Sequence, residues 1–565
     1  MDNGAPTPAP PARIPAGGAT PPAMSPAGGA TPPAMTRAMT EGILFTDQYQ
    51  LTMAQLYFRE GLADRPALFE HFFRANPSYG SHQAGFCVNA GMAWLLDWME
   101  AARVTRADVE VLRSHRSPSG QQVFGDDFLA WLSEHGSFDE VSIRAVPEGR
   151  VVHPNEPLAL IQGPLGMVQI LETSLLAHCN HQTLIATKAC RVSQAARGRP
   201  VLEFGMRRGP GRGANAATRA ALIGGAVATS NVGVGHFVGV PPAGTHAHAL
   251  VQAFMALGLG ELGAFRAYAA TYPDTCLLLV DTIDTLGSGV PNAIRVFEEL
   301  RAQGHRPVGI RLDSGDLAYL AVQASLLLDE AGFDDVGIVL SSSLDEITIF
   351  QILAQIDTEA GRYGIDAARL VGRLSFGVGS KMSTSDGKPY LDGVYKLVSI
   401  NDGQRWVPAI KISDNPFKLQ TPGDKDVHRL YDRRGLATAD VVSIAGHRLP
   451  TDRLVLRHPF DPALRRSLRP GDVSEVEPLL TDVLVEGRRA AEPASIAELR
   501  ERRARDLARL DPGVQRLVNP HTYHVSITDE LLSLRQDLVD ATRTDSAGPD
   551  SAGPDSAGAA GAVQP

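Results

Sequence analysis

The chain has 565 residues, 44 % of them hydrophobic, enough to bury a large core and to build two or three domains. Its net charge of −10 excludes a general nucleic-acid binder, which would be basic. Cys87, Cys179, Cys190 and Cys276 stand far apart with no CxxC or Cys/His ligand spacing, so thiols in a reducing compartment are expected, not a disulfide framework or a zinc site.

In chain order, residues 1–39 read as a low-complexity tail. Residues 15–24 and 26–35 repeat Pro-Ala-Gly-Gly-Ala-Thr-Pro-Pro-Ala-Met, which has too little apolar surface to order. No basic segment runs into an apolar core, so no signal peptide is expected. The least polar long stretch, 220–244, is interrupted by Asn231 and His236 and is too polar for a membrane span. A cytoplasmic protein is expected. Residues 40–170 read as an N-terminal α+β domain. A helical pattern begins at Leu51, Ala54 and Leu56, and between Val141 and Pro164 short alternating runs are broken by Pro-Glu-Gly-Arg and Pro-Asn-Glu-Pro turns.

From 171 to 390 an α/β barrel is expected. Six short apolar runs each stop on a polar or glycine-bearing cluster: Val201–Phe204, Phe237–Val240, Cys276–Val280, Val308–Leu312, Val336–Leu340 and Leu374–Phe376. Runs apolar on both faces suit parallel strands covered by helices, and the spacing leaves room for a crossover helix each time. Helices are predicted from Ser288 and Pro291 through Leu300, from Leu317 to Ala331 with Gly332 as cap, and after Asp345-Glu346. Residues 391–485 read as β-rich, completing the flanking domain. Residues 486–543 read as a helical C-terminal region (Ile496–Leu510, Asp529–Val539), and 544–565 as a second low-complexity tail. In parallel α/β folds ligands sit at the carboxyl ends of strands, so the clusters that end these runs point to one composite site.

Several segments resemble the nicotinate phosphoribosyltransferase family. They are Thr46-Asp-Gln-Tyr-Gln-Leu-Thr-Met53, Phe69-Glu-His-Phe-Phe-Arg74, Gln182-Thr-Leu-Ile-Ala-Thr-Lys188, Glu203-Phe-Gly-Met-Arg-Arg208, Thr229-Ser-Asn-Val232, Gly244-Thr-His-Ala-His248, Arg311-Leu-Asp-Ser-Gly-Asp-Leu317, Gly377-Val-Gly-Ser-Lys381 and Thr421-Pro-Gly. One such motif is weak; the set, in order from about 42 to 535, is specific. The resemblance implies an irregular α/β barrel of the type II phosphoribosyltransferase kind with a flanking α+β domain. It also implies transfer of a phosphoribosyl group from phosphoribosyl pyrophosphate to nicotinate with coupled ATP hydrolysis, Mg2+, and a homodimer with shared active sites.

That chemistry needs no general base, because the pyridine nitrogen already carries a lone pair. It needs two substrates held in line and charge stabilised at the ribosyl centre and the leaving pyrophosphate. Arg311, at a strand end, offers a planar fork for a carboxylate, or else pairs with Asp313 or Asp316. By resemblance Tyr49, Thr245 and Arg311 line the nicotinate pocket, with Tyr49 supplying the ring face. Of the adjacent Arg207 and Arg208, one is expected to face the site and the other to form a structural salt bridge; Arg207 is assigned to the site. Asp313 and Asp316 flank Gly315 and suit ribose hydroxyls or a magnesium–pyrophosphate complex, while Asp316 also fits a helix N-cap. Ser342, Ser343, Gly377, Gly379 and Ser380 fit loops whose backbone N–H groups hold the 5′-phosphate. The resemblance assigns the γ-phosphate of ATP to His248, whose imidazole can carry it as a labile phosphoramidate; the bland reading is a first-turn helix residue with Thr245 as N-cap. No metal ligand is assigned.

Gly209-Pro-Gly-Arg-Gly213 lacks both the GxGxxG and the Walker spacing and reads as a loop. Gln48 and Ser380 stand where the family more often has leucine and threonine. Three rival functions fit less well, and one of them, a quinolinate-using enzyme, would need extra cationic groups for a second carboxylate and does not fit the chain-wide order of the motifs. A nicotinamide-using relative would carry an aspartate near Thr229-Ser-Asn231, where Ser230 offers no charge. A non-catalytic homologue acting as a binding protein would be expected to have lost Tyr49, Thr245, His248 or Arg311.

Overall fold

The structure, a computed structural model, describes residues 42–412, 420–450, 453–461, 463–469 and 471–546. Both repetitive tails lie outside these residues. Residues 103–136 together with 42–45 form a small compact unit, and residues 46–102 and 137–546 form the main one. In the small unit Thr105 and Asp108 close a capping box on helix Arg106–Ser114. Arg113 reaches Asp126 of helix Asp126–His135 at 3.1 Å, and Phe128 stacks on Trp131 at 5.8 Å.

The main unit is built on a parallel sheet of six strands: β1 Val201–Glu203, β2 Ala228–Thr229, β3 Leu277–Leu279, β4 Gly309–Leu312, β5 Gly337–Ser341 and β6 Leu374–Val378. Their order is β2-β1-β6-β5-β4-β3, every pairing parallel. Leu278, Ile310, Leu312, Ile338, Leu340 and Phe376 are fully buried, as expected for strands covered on both faces. The helices that position the site are α1 Gln48–Arg59, α2 Glu172–Ala195, α3 Gly211–Gly224, α4 His248–Ala256, α5 Val290–Ala302, α6 Leu317–Glu330 and α7 Glu346–Glu359. Asp316 caps α6 and Asp345 caps α7, each accepting a backbone N–H three residues on.

Five of the six predicted strands are present. The sixth, Phe237–Val240, is not a strand: Asn231 caps a short helix, Val232–Phe237, and a turn follows. The strand in its place is β2, too short to show as an apolar run. Residues 242–246 then span the gap between the two sheet edges. Pro242 bridges Thr229 in parallel, Ala243 N–H donates to the Thr229 carbonyl at 2.8 Å, and Leu279 N–H donates to His246 Nε2 at 3.1 Å. An imidazole thus takes the place of a backbone carbonyl at this edge of the sheet.

Two antiparallel-rich sheets accompany it. The seven-stranded sheet orders Trp406–Pro408, Gly393–Asn401, Pro66–Phe73, Ala159–Pro164, Ser142–Ala145, Thr481–Val485 and Arg488–Arg489, drawing on chain from both sides of the barrel. The six-stranded sheet holds Arg465–Leu468, Leu454–Arg457, Val525–Ile527, Ala437–Ile444, Lys425–Tyr431 and Glu475–Pro478. The β-rich stretch after the barrel therefore divides between two sheets. The C-terminal stretch adds strand Val525–Ile527 to its helices Ile496–Ala508 and Asp529–Ser546.

Candidate active site

At the carboxyl ends of β1, β4, β5 and β6 lies a cavity of about 200 Å³, and Arg311 at the end of β4 is its best-held cation. Its Nε donates to Ser341 Oγ at 2.9 Å, Nη1 to Thr245 Oγ1 at 3.3 Å and Nη2 to Asp313 Oδ1 at 3.0 Å. Three of five donors are committed, leaving one N–H on each terminal nitrogen. The ion pair expected as an alternative reading is real, with Asp313 as partner, and it fixes the guanidinium at the cavity instead of removing it. The Phe204 ring lies 5.5 Å from the guanidinium carbon, and both side chains line the cavity.

Phe204 went unremarked in the sequence, although it stands in the quoted Glu203-Phe-Gly-Met-Arg-Arg208 motif. Glycines and a buried acid hold it. A Cβ on Gly377 would lie 2.5 Å from the ring, so the ring rests where a side chain would stand. Glu203, fully buried, accepts from the Gly205 N–H, from Thr229 Oγ1 at 2.7 Å, from Thr218 Oγ1 at 3.1 Å and from Ser383 Oγ at 3.3 Å. Its carboxylate is thereby satisfied by neutral donors and anchors the turn that carries residues 204–208.

Arg207 and Arg208 share a single 3-10 turn, Met206–Arg208, and both line the cavity. The expectation that one of them would be diverted into a structural salt bridge is wrong: among the described residues neither has an ion-pair partner. A tight turn, unlike a strand, lets neighbouring side chains leave on the same side. Lys381, quoted in its motif but given no role, also lines the cavity and pairs with Asp345 at 2.7 Å. Burial pushes the Asp345 carboxyl up, but the Lys381 ammonium and the Thr348 amide outweigh it and hold it down at about 2.

Ser342, Ser343, Gly377, Gly379 and Ser380 all line the cavity. Ser342 and Ser343 have φ of 104° and 47°, two consecutive non-glycine residues in the left-handed region, which marks a turn held under strain at the end of β5. Asp316 is not among the lining residues. Its carboxylate caps α6 through Tyr319 N–H at 3.1 Å, the alternative the sequence left open. Tyr49 is also outside the cavity. It is 49 % exposed on α1, and burial, then Glu172, pushes its hydroxyl up to about 12.

His248 opens α4, and the residue capping that helix is Ala247; Thr245 instead donates its hydroxyl to the His246 carbonyl. The His248 side chain is 39 % exposed. Its Nδ1 lies 3.1 Å from Thr282 Oγ1, and its Nε2 lies 3.9 Å from Asp281 Oδ1 and 3.8 Å from Asp313 Oδ2. Asp281 Oδ2 accepts from Asp313 N–H at 2.9 Å and Ser314 Oγ at 2.6 Å, while its buried Oδ1 has no hydrogen-bond partner. Asp281 and Thr282 were visible only as the polar cluster that ends β3. His246 faces away, toward Leu279, and burial holds its imidazole below the usual range.

A parallel barrel whose strand ends gather guanidinium groups, a flat ring and a strained backbone turn, beside a flanking sheet built from both sides of it, is a type II phosphoribosyltransferase. A crystal structure of nicotinate-nucleotide pyrophosphorylase from Pyrococcus furiosus shares that fold, with a TM-score of 0.58 at 22 % identity over 86 % of this chain and 99 % of its own. A crystal structure of human nicotinic acid phosphoribosyltransferase aligns with a TM-score of 0.71 at 31 % identity, covering 87 % of this chain and 99 % of that one. The nicotinate phosphoribosyltransferase of Bacillus subtilis is 42 % identical over 393 residues, 69 % of this chain and 73 % of its own. The human enzyme is 33 % identical over 549 residues, 88 % and 96 % of the two chains. Models of the nicotinate phosphoribosyltransferase N-terminal and C-terminal domains match residues 44–180 and 424–535. The chain belongs to the nicotinate phosphoribosyltransferase family and is an enzyme. Among its described residues no helix is long and apolar enough to cross a membrane.

Proposed function

We propose that the chain transfers the phosphoribosyl group of phosphoribosyl pyrophosphate to nicotinate in NAD biosynthesis, and that ATP hydrolysis at His248 is coupled to the transfer. The observation that carries the reading is the Arg311 guanidinium, held at three points and lying against Phe204, with an N–H left on each terminal nitrogen. That pair supplies a fork for a carboxylate and a face for its ring. Arg207, Arg208 and Lys381 bring positive charge for phosphate groups, and the backbone around Ser342, Ser343, Gly379 and Ser380 supplies N–H donors to them. Asp313, already oriented by Arg311 and Ser341, would take a ribose hydroxyl. The chain then works by alignment: nicotinate nitrogen attacks the anomeric carbon as pyrophosphate leaves, and fixed cations stabilise the charge that moves onto the leaving group.

Nδ1 of His248 is engaged with Thr282, whereas Nε2 sits between two carboxylates beyond hydrogen-bonding range. Nε2 is therefore the nitrogen placed to accept the γ-phosphoryl group, with ADP as leaving group. Magnesium fits this donor set, because it binds through one or two carboxylates plus substrate phosphates and Asp281 Oδ1 is buried without a partner. Asp281 and Asp313 would hold the ion, which would offset phosphate charge. Exposed apolar side chains at Phe237 (89 %), Leu257 (74 %) and Val232 (68 %) support a homodimer, in which Tyr49, which does not line its own cavity, would complete the partner's.

The test is a reaction of purified protein with nicotinate, phosphoribosyl pyrophosphate, ATP and magnesium, following mononucleotide and ADP together. Failure to form mononucleotide defeats the proposal, and preferential use of nicotinamide moves the chain to the amide-using relatives. The His248→Asn variant is expected to keep slow transfer while losing the ADP formed per product. An unchanged ADP ratio in that variant removes His248 from the ATP step.

A further inference from the structure

We propose that a second cavity, sharing no residue with the barrel cavity, binds a small phosphate-bearing anion. It has a volume of about 510 Å³, within the range of small-molecule sites, and its wall includes His153, His458, His521, His524, Arg465 and Arg466. No lining residue is an aspartate or glutamate, in a chain whose net charge is −10. Two arginines and four imidazoles thus face a wall without a carboxylate.

The side chains present donors. His458 Nδ1 accepts the N–H groups of Phe460 and Asp461 at 3.2 and 3.1 Å, which leaves its proton on Nε2. Arg466 is steadied by Thr438, at 3.2 Å from the carbonyl and 2.9 Å from the hydroxyl, while Arg465 has no side-chain partner among the described residues. Burial, then Arg466, His521 and His458, all act against a charge on His524, so the cluster lacks a counter-charge that an anion would provide.

The floor is an independent observation. His153 is wholly buried and stacks on Tyr523 with ring centroids 3.7 Å apart and 12° between planes. Neither of its ring nitrogens makes a well-formed hydrogen bond, although the Gly85 backbone adjoins the ring. A buried imidazole left in that state at a cavity wall points to a ligand or ordered solvent that completes it. Two acids lie behind the floor: Glu156 accepts the His153 backbone N–H at 2.8 Å and burial, then Asp440, favours its neutral form, while Asp440 is bound by Arg429 at 2.7 Å and by the Tyr523 hydroxyl at 3.0 Å, so neither neutralises the cavity.

Inorganic pyrophosphate, inorganic phosphate and ADP are the probes, titrated calorimetrically into the full chain and into an Arg465→Ala/His521→Ala/His524→Ala variant. All three replaced residues are exposed and outside the barrel site. The variant is expected to bind one equivalent of anion fewer than the natural chain, without loss of mononucleotide formation at saturating substrate. Arg465→Glu, a single surface exchange, should lose the same equivalent and keeps the measurement open if the triple variant does not fold. Tighter binding of ADP than of pyrophosphate assigns the site to a nucleotide, and equal binding assigns it to free phosphate groups. Equal stoichiometry in natural and variant chains for all three probes overturns the proposal, whatever the transferase assay shows.

Discussion

Gly377 was read from sequence as part of a phosphate-holding loop, and the structure gives it a second duty: it leaves room for the Phe204 ring beside Arg311. A methyl group there meets ring carbons at 2.5 and 2.6 Å, closer than carbon atoms approach. The ring, wedged between strand ends, has to move. The Gly377→Ala variant is expected to raise KM for nicotinate more than KM for phosphoribosyl pyrophosphate, and to cost about 1–3 kcal/mol of stability by overpacking. Steady-state kinetics with each substrate varied, together with urea unfolding, checks both halves. Equal changes in the two KM values would show that the ring does not face the nicotinate. Arg311 and Asp313 were legible as chemically distinctive side chains at a predicted strand end, whereas Thr245 and His248 were named only through the resemblance to the family, since the strand predicted before them is absent. Phe204 was not legible, since an aromatic residue closing an apolar run looks like core, and only the glycine opposite it tells the two apart.

Among elements, the strands that could be read were those whose apolar run is itself the strand. Val308–Leu312 and Val336–Leu340 became Gly309–Leu312 and Gly337–Ser341, a shift of a residue or so. The run Phe237–Val240 misled because periodicity cannot separate a short apolar strand from a short helix, and the Asn231 N-cap four residues before Gly235 was the signal that decided it. β2 was invisible at two residues, and so was the closure it shares with His246. That closure is testable. The Leu279 N–H is buried, and in a His246→Leu variant it has no acceptor, a loss of about 1–3 kcal/mol. Hydrogen exchange at the Leu279 amide should quicken well beyond that of Ile310 on the neighbouring strand. An unchanged exchange rate would mean that the strand edge is closed by something other than the imidazole. The sorting of strands 393–485 between two sheets was not legible either, since a β-rich run carries no mark of which partner strand, dozens of residues away, it will meet.

For the whole molecule, two properties follow from where side chains sit. The first is assembly. If Tyr49 serves a partner's site while Arg311 serves its own, mixing two inactive variants, Tyr49→Ala and Arg311→Ala, rebuilds intact sites in the mixed dimers. Random exchange of subunits should restore activity to about one quarter of the natural level, and no recovery after verified exchange would place Tyr49 outside any shared site.

The second is the response to acid. Burial holds His71 at about 4 and His153 at about 3, and also lowers His178, His181 and His246. An unfolded chain takes up protons at these positions near pH 6.5 while the folded one does not, so their contribution is present above pH 6.5 and is lost as pH falls toward 4. Glu156 works in the opposite sense. Burial, then the neighbouring Asp440, raises its carboxyl far above the usual range, so it keeps its proton when folded and stabilises most below pH 4.5, losing that contribution as pH rises. The lowered histidines, which also include His428 and His524, outnumber it, and the unfolding midpoint should fall between pH 6.5 and pH 5. In the Glu156→Gln variant an amide replaces the protonated carboxyl beside Asp440 and cannot titrate. Its stability should therefore fall more steeply over the same window, by about 1.4 kcal/mol per pH unit. Chemical unfolding of both chains at half-unit steps of pH measures that difference directly, and parallel curves would show that Glu156 is ionised in the folded protein.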